Sequence, residues 1–264
     1  MSALWLHIAA IATALFAWWA GTGLVLLVER RLGLHGGPPW GSLLTIAAGL
    51  AGVYLTRDAS GPGGQTIGFL SALGIWGTLE LAFLSGAIAG PNKAACKPDL
   101  ALMPRLLAAA RVIYHHELAL LLSLLAITFI TYDHVNSVAF FSFFVLLLMR
   151  LSTKINLFFG VRVFSFQMLP KRAAFIGSYF RIGRNTPLMA LSVSICILAV
   201  IGAGMIAFGD RANLSAETPS AFGATLVWTL CVLGLVEHLF LAFPWSESRL
   251  WRWALTEPAP ARRR

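Results

Sequence analysis

Charge is what this sequence has least of. Asp, Glu, Lys and Arg make up 12% of its 264 residues, against 58% hydrophobic, and the mean hydropathy is +0.77. A soluble domain carries about 25% charged residues. A chain this poor in charge cannot coat a surface facing water, so the bilayer is its solvent. Cysteine is scarce as well: Cys96, Cys196 and Cys231 form no CxxC pair and two lie in apolar runs, which excludes a disulfide framework and a zinc knuckle. Neither a phosphate-binding Walker A loop nor a GxGxxG turn occurs, and His115-His116-Glu117 lacks the second His of HExxH. An arginine-rich voltage-sensor repeat, a selectivity-filter sequence and a repeat-related pair of broken helices are missing too, which leaves channels and inverted-repeat transporters unsupported. Internal repeats and low-complexity tracts are not evident. Acid is scarcer than base, 11 residues against 20, for a net charge of +9. The basic residues sit in short loops between apolar runs. That pattern points to membrane topology and anionic lipid as the partner, and not to nucleic acid.

Seven apolar runs are long enough to predict spanning helices, which need about 20 residues each: 3–28, 40–56, 66–89, 106–131, 137–159, 187–208 and 221–243. The expected fold is therefore an all-α polytopic bundle of about seven transmembrane helices, a single domain over 1–264. The first run follows no basic n-region and exceeds the 7–15 residues typical of a signal h-region, so it is expected to remain as a helix. With seven spans, the loops after the first, third, fifth and seventh helices share one side. They and their flanks hold 18 of the 20 Lys and Arg, leaving Arg57 and Arg211 opposite. Lys and Arg mark the cytoplasmic side, so the N-terminus is expected outside and the C-terminus in the cytoplasm. Trp5, Trp40, Trp245, Trp251 and Trp253 near the span ends fit an aromatic belt. The tail Glu257–Arg264 is expected to be disordered.

Several polar residues lie where lipid penalises them: Glu80 in the third span, His115, His116 and Glu117 in the fourth, and Glu237 and His238 in the seventh. A charge at a helix centre costs about 2.5–3.5 kcal/mol on insertion scales. These groups must be paired, protonated or metal-bound. At about 1.5 Å rise per residue they sit roughly 8–18 Å from the basic surface. Arg150, Lys154 and Asn156 of the fifth span share that layer, so one buried cluster is expected. Glu and His together suit iron, manganese or zinc, although the Glu-x-x-His spacing of di-iron bundles is absent. A histidine could instead ligate bacteriochlorophyll or haem. The third reading is a structural polar network in which Arg150 or Lys154 neutralises Glu80 or Glu117.

The segment 160–186 is basic and aromatic, with Arg162, Lys171, Arg172, Arg181 and Arg184 among Phe164, Phe166, Phe175, Tyr179 and Phe180. Ordinary positive-inside topology accounts for its basic residues; it also suits a strip lying in the membrane interface, or a docking site for another membrane protein.

The stretches FLSGAIAGPNKAAC (83–96), YHHELAL (114–120), LMRLSTKINLFFGV (148–161), LPKRAAFIGSYF (169–180), VEHLFLAFP (236–244) and LWRWAL (250–255) together resemble the PuhE family of photosynthetic complex assembly proteins, over nearly the whole chain and in order. Members are encoded beside the reaction-centre H subunit in purple phototrophic bacteria. The resemblance implies a multi-pass protein of the bacterial inner (intracytoplasmic photosynthetic) membrane, which would put the N-terminus in the periplasm. It would assist assembly of reaction-centre and light-harvesting subunits or modulate bacteriochlorophyll supply. It assigns no catalytic residue. Two other functions stay open: a membrane metalloenzyme with a carboxylate–histidine site acting on a tetrapyrrole or other lipophilic precursor, and a carrier of bacteriochlorophyll or haem with His116 or His238 as axial ligand.

Overall fold

The computed structural model describes residues 3–32, 40–209 and 220–255. Arg211 and the tail Glu257–Arg264 lie outside the described residues. The described chain is helical, with α1 (Ala3–Leu32), α2 (Trp40–Thr56), α3 (Pro62–Leu84), α4 (Leu102–Thr131), α5 (Val138–Phe159), the single turn α6 (Ala174–Gly177), α7 (Pro187–Phe208), α8 (Ala221–Ala242) and the short α9 (Arg252–Leu255). Six of these, α1, α3, α4, α5, α7 and α8, are long and apolar enough to cross a membrane. The second expected span, α2, has 17 residues, or about 25 Å of helix. It packs antiparallel along α3: Gly49 and Gly52 lie against Ile75 and Ser71, and Ala59 faces Gly64 across the turn. Seven apolar helices thus make the bundle.

Contacts between helices fix their directions. His7 and Trp18 of α1 meet Thr225 and Glu237 of α8. Gly68 of α3 faces Ala139, and Glu80 meets Arg150 on α5. Val138 and Met149 of α5 face Gly223 and Gly234 of α8. Sequence number rises together in each pair, so α1, α3, α5 and α8 run parallel as a ring. Outside it, α2, α4 and α7 run the opposite way, as Lys154–Glu117 and Arg105–Phe158 for α4, and Cys196–His238 and Gly204–Trp228 for α7, require. Ala10, Ala14, Phe69, Val138, Phe222, Leu226 and Leu230 fill the ring away from the basic loops. A second cluster of Val53, Ile75, Leu120, Ile127 and Phe143 binds α2 and α4 to it. Apolar side chains also cover the outside: Leu191, Ile195, Leu198, Ile201 and Met205 form an exposed stripe on α7. A soluble monomer does not expose such a patch; lipid covers it here.

The third helix ends at Leu84, five residues before the apolar run does. Gly86 takes a left-handed φ of 81°, and Ala87 and Ile88 donate back to the Ala82 carbonyl. The αL residue closes the helix although composition offers no stop. Glu80 is therefore about one turn from the helix end, nearer the basic loops than the apolar run implies.

Segment 160–186 is folded. Val161 pairs with Ile182 in an isolated parallel bridge, and Ala173, Ile176 and Tyr179 are buried against Phe83 and Val112. Arg162, Lys171, Arg172, Arg181 and Arg184 all face outward. Arg105 of α4 donates to the Tyr179 carbonyl at 2.5 Å, and Asn92 of the α3–α4 loop to the Tyr179 hydroxyl at 2.9 Å. The segment closes the basic end of the ring, joined by the turn Glu247–Trp251, whose Trp251 packs on Leu26.

Candidate functional site: a cavity with a polar end

α5 is the hub of the buried polar groups, because four-residue spacing places its side chains on shared faces. Arg150 and Lys154 form one face. The Arg150 guanidinium grips Glu80 of α3 with a fork, Nε to Oε1 at 3.0 Å and Nη2 to Oε2 at 2.8 Å. Lys154 is paired with Glu117 of α4. His116, fully buried, stacks on Phe83 with centroids 4.4 Å apart and places Nε2 3.5 Å from Glu80 Oε1. Among the described residues, neither of its ring nitrogens has a hydrogen-bond partner. Glu80, His116, Glu117, Arg150 and Lys154 thus come together from three helices. Bidentate, charge-assisted bonds are the strong kind in a low-dielectric setting.

Ser152 and Asn156 form the other face of α5. His238 Nε2 is 2.8 Å from the Ser152 hydroxyl and Nδ1 is 2.7 Å from the Gly234 carbonyl. Asn156 donates to Ser192 of α7 at 2.8 Å. His238 is therefore a clamp between α5, α7 and α8, separate from the carboxylates. His115 points to the α3–α4 loop, its Nδ1 2.8 Å from the Ala89 carbonyl. Glu237, one position from His238 and so about 100° away around the helix, faces the ring interior and accepts from Trp18 Nε1 at 2.8 Å.

Between α1, α3, α5 and α8 lies a cavity of about 440 Å³, above the basic-end loops. Its wall is mainly apolar and rich in aromatics, and its polar residues include Glu80, Thr153, Lys154, Glu237 and Glu247. Size and lining are those of a small-molecule site. Burial pushes the Glu247 carboxyl up to about 7, with the Glu237 charge adding to the shift and Arg150 opposing it. No histidine lies among the cavity-lining residues. Among the described residues, no three His, Cys, Asp or Glu side chains converge as a metal site would need. Glu80, Glu117 and Glu237 are instead held by nitrogen donors.

Sequence reasoning did not pick out Trp18, Thr153, Glu247, Gly21 or Gly77. Trp18 is one of a Trp-Trp pair in a long apolar run, and nothing local separates it from an interfacial belt. Ser152 had a signal, its spacing of four from Asn156 on the helix that carries Arg150 and Lys154.

The comparisons with known proteins agree with this architecture in extent. No solved structure matches the chain. It is 33% identical, over 95% of both chains, to a Rhodobacter capsulatus protein described as an uncharacterized 30.4 kDa protein in the puhA 5' region. A family model described as protein of unknown function (DUF3623) matches residues 1–262, so the chain belongs to the DUF3623 family.

Proposed function

We propose that this protein is a non-enzymatic factor of the photosynthetic membrane that holds a lipophilic component, bacteriochlorophyll or a precursor, while reaction-centre and light-harvesting subunits assemble. The observation that carries this reading is the cavity: a mainly apolar, partly open space in the bundle, at whose polar end Glu80 is gripped by Arg150, Lys154 is paired with Glu117, and Glu237 accepts from Trp18. A holder needs such a rigid wall, and a hydrolytic or redox site needs a free nucleophile or a converging ligand set. The position of the Rhodobacter capsulatus relative's gene in the puhA 5' region supports a photosynthetic setting. So does the resemblance to the PuhE family. We place the basic end in the cytoplasm, on the positive-inside rule. The outward row Arg162, Lys171, Arg172, Arg181 and Arg184 then faces anionic lipid or a partner subunit.

The test is deletion in a purple phototrophic host. Assembled reaction-centre and light-harvesting absorption should fall, and the tagged protein should co-purify with their subunits. Wild-type assembly in the deletion strain would end the proposal. Stoichiometric iron or manganese in the purified protein, lost in Glu117→Ala, would favour the metalloenzyme instead.

A further inference from the structure

The cavity wall specifies more about its occupant than low polarity. Two glycines shape its α1 and α3 sides. A Cβ at Gly21 would meet nothing within 4 Å, and one at Gly77 only Val25 Cγ2 at 3.5 Å. Larger residues would fit both positions, so the open space is a consequence of glycine there. Trp18, Trp76, Phe83 and Trp251 present rings to the same space, and ring faces and edges favour flat, conjugated partners.

The polar end carries both signs, Arg150 and Lys154 beside Glu80, Glu237 and Glu247, and its unused capacity lies on Glu237. Arg150 is committed to Glu80 and Lys154 to Glu117. Glu237 receives a single donor among the described residues, the Trp18 indole N–H, on Oε1. A carboxyl group offers about four acceptor positions, so most of its capacity is unused. Glu247 adds a second carboxyl to that end. The Thr153 hydroxyl, also on the wall, is buried with no hydrogen-bond partner among the described residues. Buried polar groups are almost always satisfied, and a molecule in the cavity supplies what the protein does not.

We infer that the cavity binds one flat lipophilic molecule whose head bears an N–H or O–H donor or a positive charge, received by Glu237, and that it takes such a head in preference to the same ring system ending in a carboxylate. The inference rests on the cavity being a holder, but not on the photosynthetic role.

The experiment uses the full-length protein in detergent micelles and three probes with one ring system: 1-pyrenebutylamine, 1-pyrenebutanol and 1-pyrenebutanoate. Energy transfer from Trp18, Trp76 and Trp251 to pyrene reads occupancy. The amine and alcohol should saturate at one per chain, and the acid should bind at least about tenfold more weakly, the scale of a hydrogen bond to a charged group. Gly77→Leu should abolish saturable transfer. Gly21→Leu fills the same space from α1 and serves if the first variant does not accumulate. Glu237→Gln should erase the preference of amine over acid while the alcohol still binds. Equal binding of acid and amine, unchanged binding in the leucine variants, or no saturable binding to the wild-type protein would each overturn the inference. Selective binding together with normal assembly in the deletion strain would keep the site and remove the assembly role.

Discussion

Arg150 and Glu80 show what a charge must find inside a bilayer. Their fork joins α5 to α3 at 2.8 and 3.0 Å, and each satisfies the other's charge. Removing one partner strands the other, which costs about 3–5 kcal/mol for a buried pair. Arg150→Met should therefore lower unfolding stability in micelles by that order. Adding Glu80→Gln to it should recover a substantial part, and a strictly additive double mutant would show that the pair is not coupled. Glu247 carries the pH dependence. Its folded value, about 7, lies above the ordinary carboxyl value, so the folded state holds the proton more tightly than the unfolded state. Stability is then greatest at acid pH, falls as pH rises from about 4.5 to 7, and is level above that. After discount for solvent screening the loss is on the order of 2 kcal/mol. Melting temperatures across pH 4.5–8 should follow this course and flatten in Glu247→Gln. Most of the pairs' members were legible from sequence, because a charged residue in an apolar run must find a partner. The partners themselves were legible only in part. Glu237 and His238 are neighbours in sequence but face different helices, and the Trp18 that holds Glu237 lies 219 residues away.

The helices were plain in the sequence, since apolar runs bounded by Pro62, Pro187 and the loop residues mark them. Their ends were less so. The run from Phe83 to Ala89 is apolar almost throughout, and only the left-handed Gly86 breaks the helix within it. The fold of 160–186 was hidden for a different reason. It is held by tertiary bonds from Arg105 and Asn92, which no local pattern announces. The α3–α4 loop has a tight seat of its own: Gly90 donates to the Val112 carbonyl at 2.7 Å, and a Cβ there would overlap the Arg111 carbonyl oxygen. Backbone cannot yield as a side-chain tip can. Gly90→Ala should cost about 2 kcal/mol, read as a lower melting temperature, whereas Gly63→Ala, with nothing near its Cβ, should have little effect.

The molecule reverses the distribution of a soluble protein, with apolar side chains on its outside and, among the described residues, its buried charged side chains Glu29, Glu80 and Arg105 at one end. Four parallel helices make the ring, three antiparallel helices sheath it, and the basic segments close it. Because α1 and α8 run parallel, the described chain begins at one end of the bundle and finishes at the other. Reporter fusions should place residue 255 in the cytoplasm and residue 3 in the periplasm, and both ends on one side would remove α2 from the spans. The cavity is the part of this architecture that a function can use. The direct measurement is reaction-centre absorption in phototrophic cells whose only copy carries Gly77→Leu. The variant protein should accumulate normally, since the new side chain enters open space, while assembled reaction centre falls to the level of the deletion strain. Full assembly with the cavity filled would contradict the account.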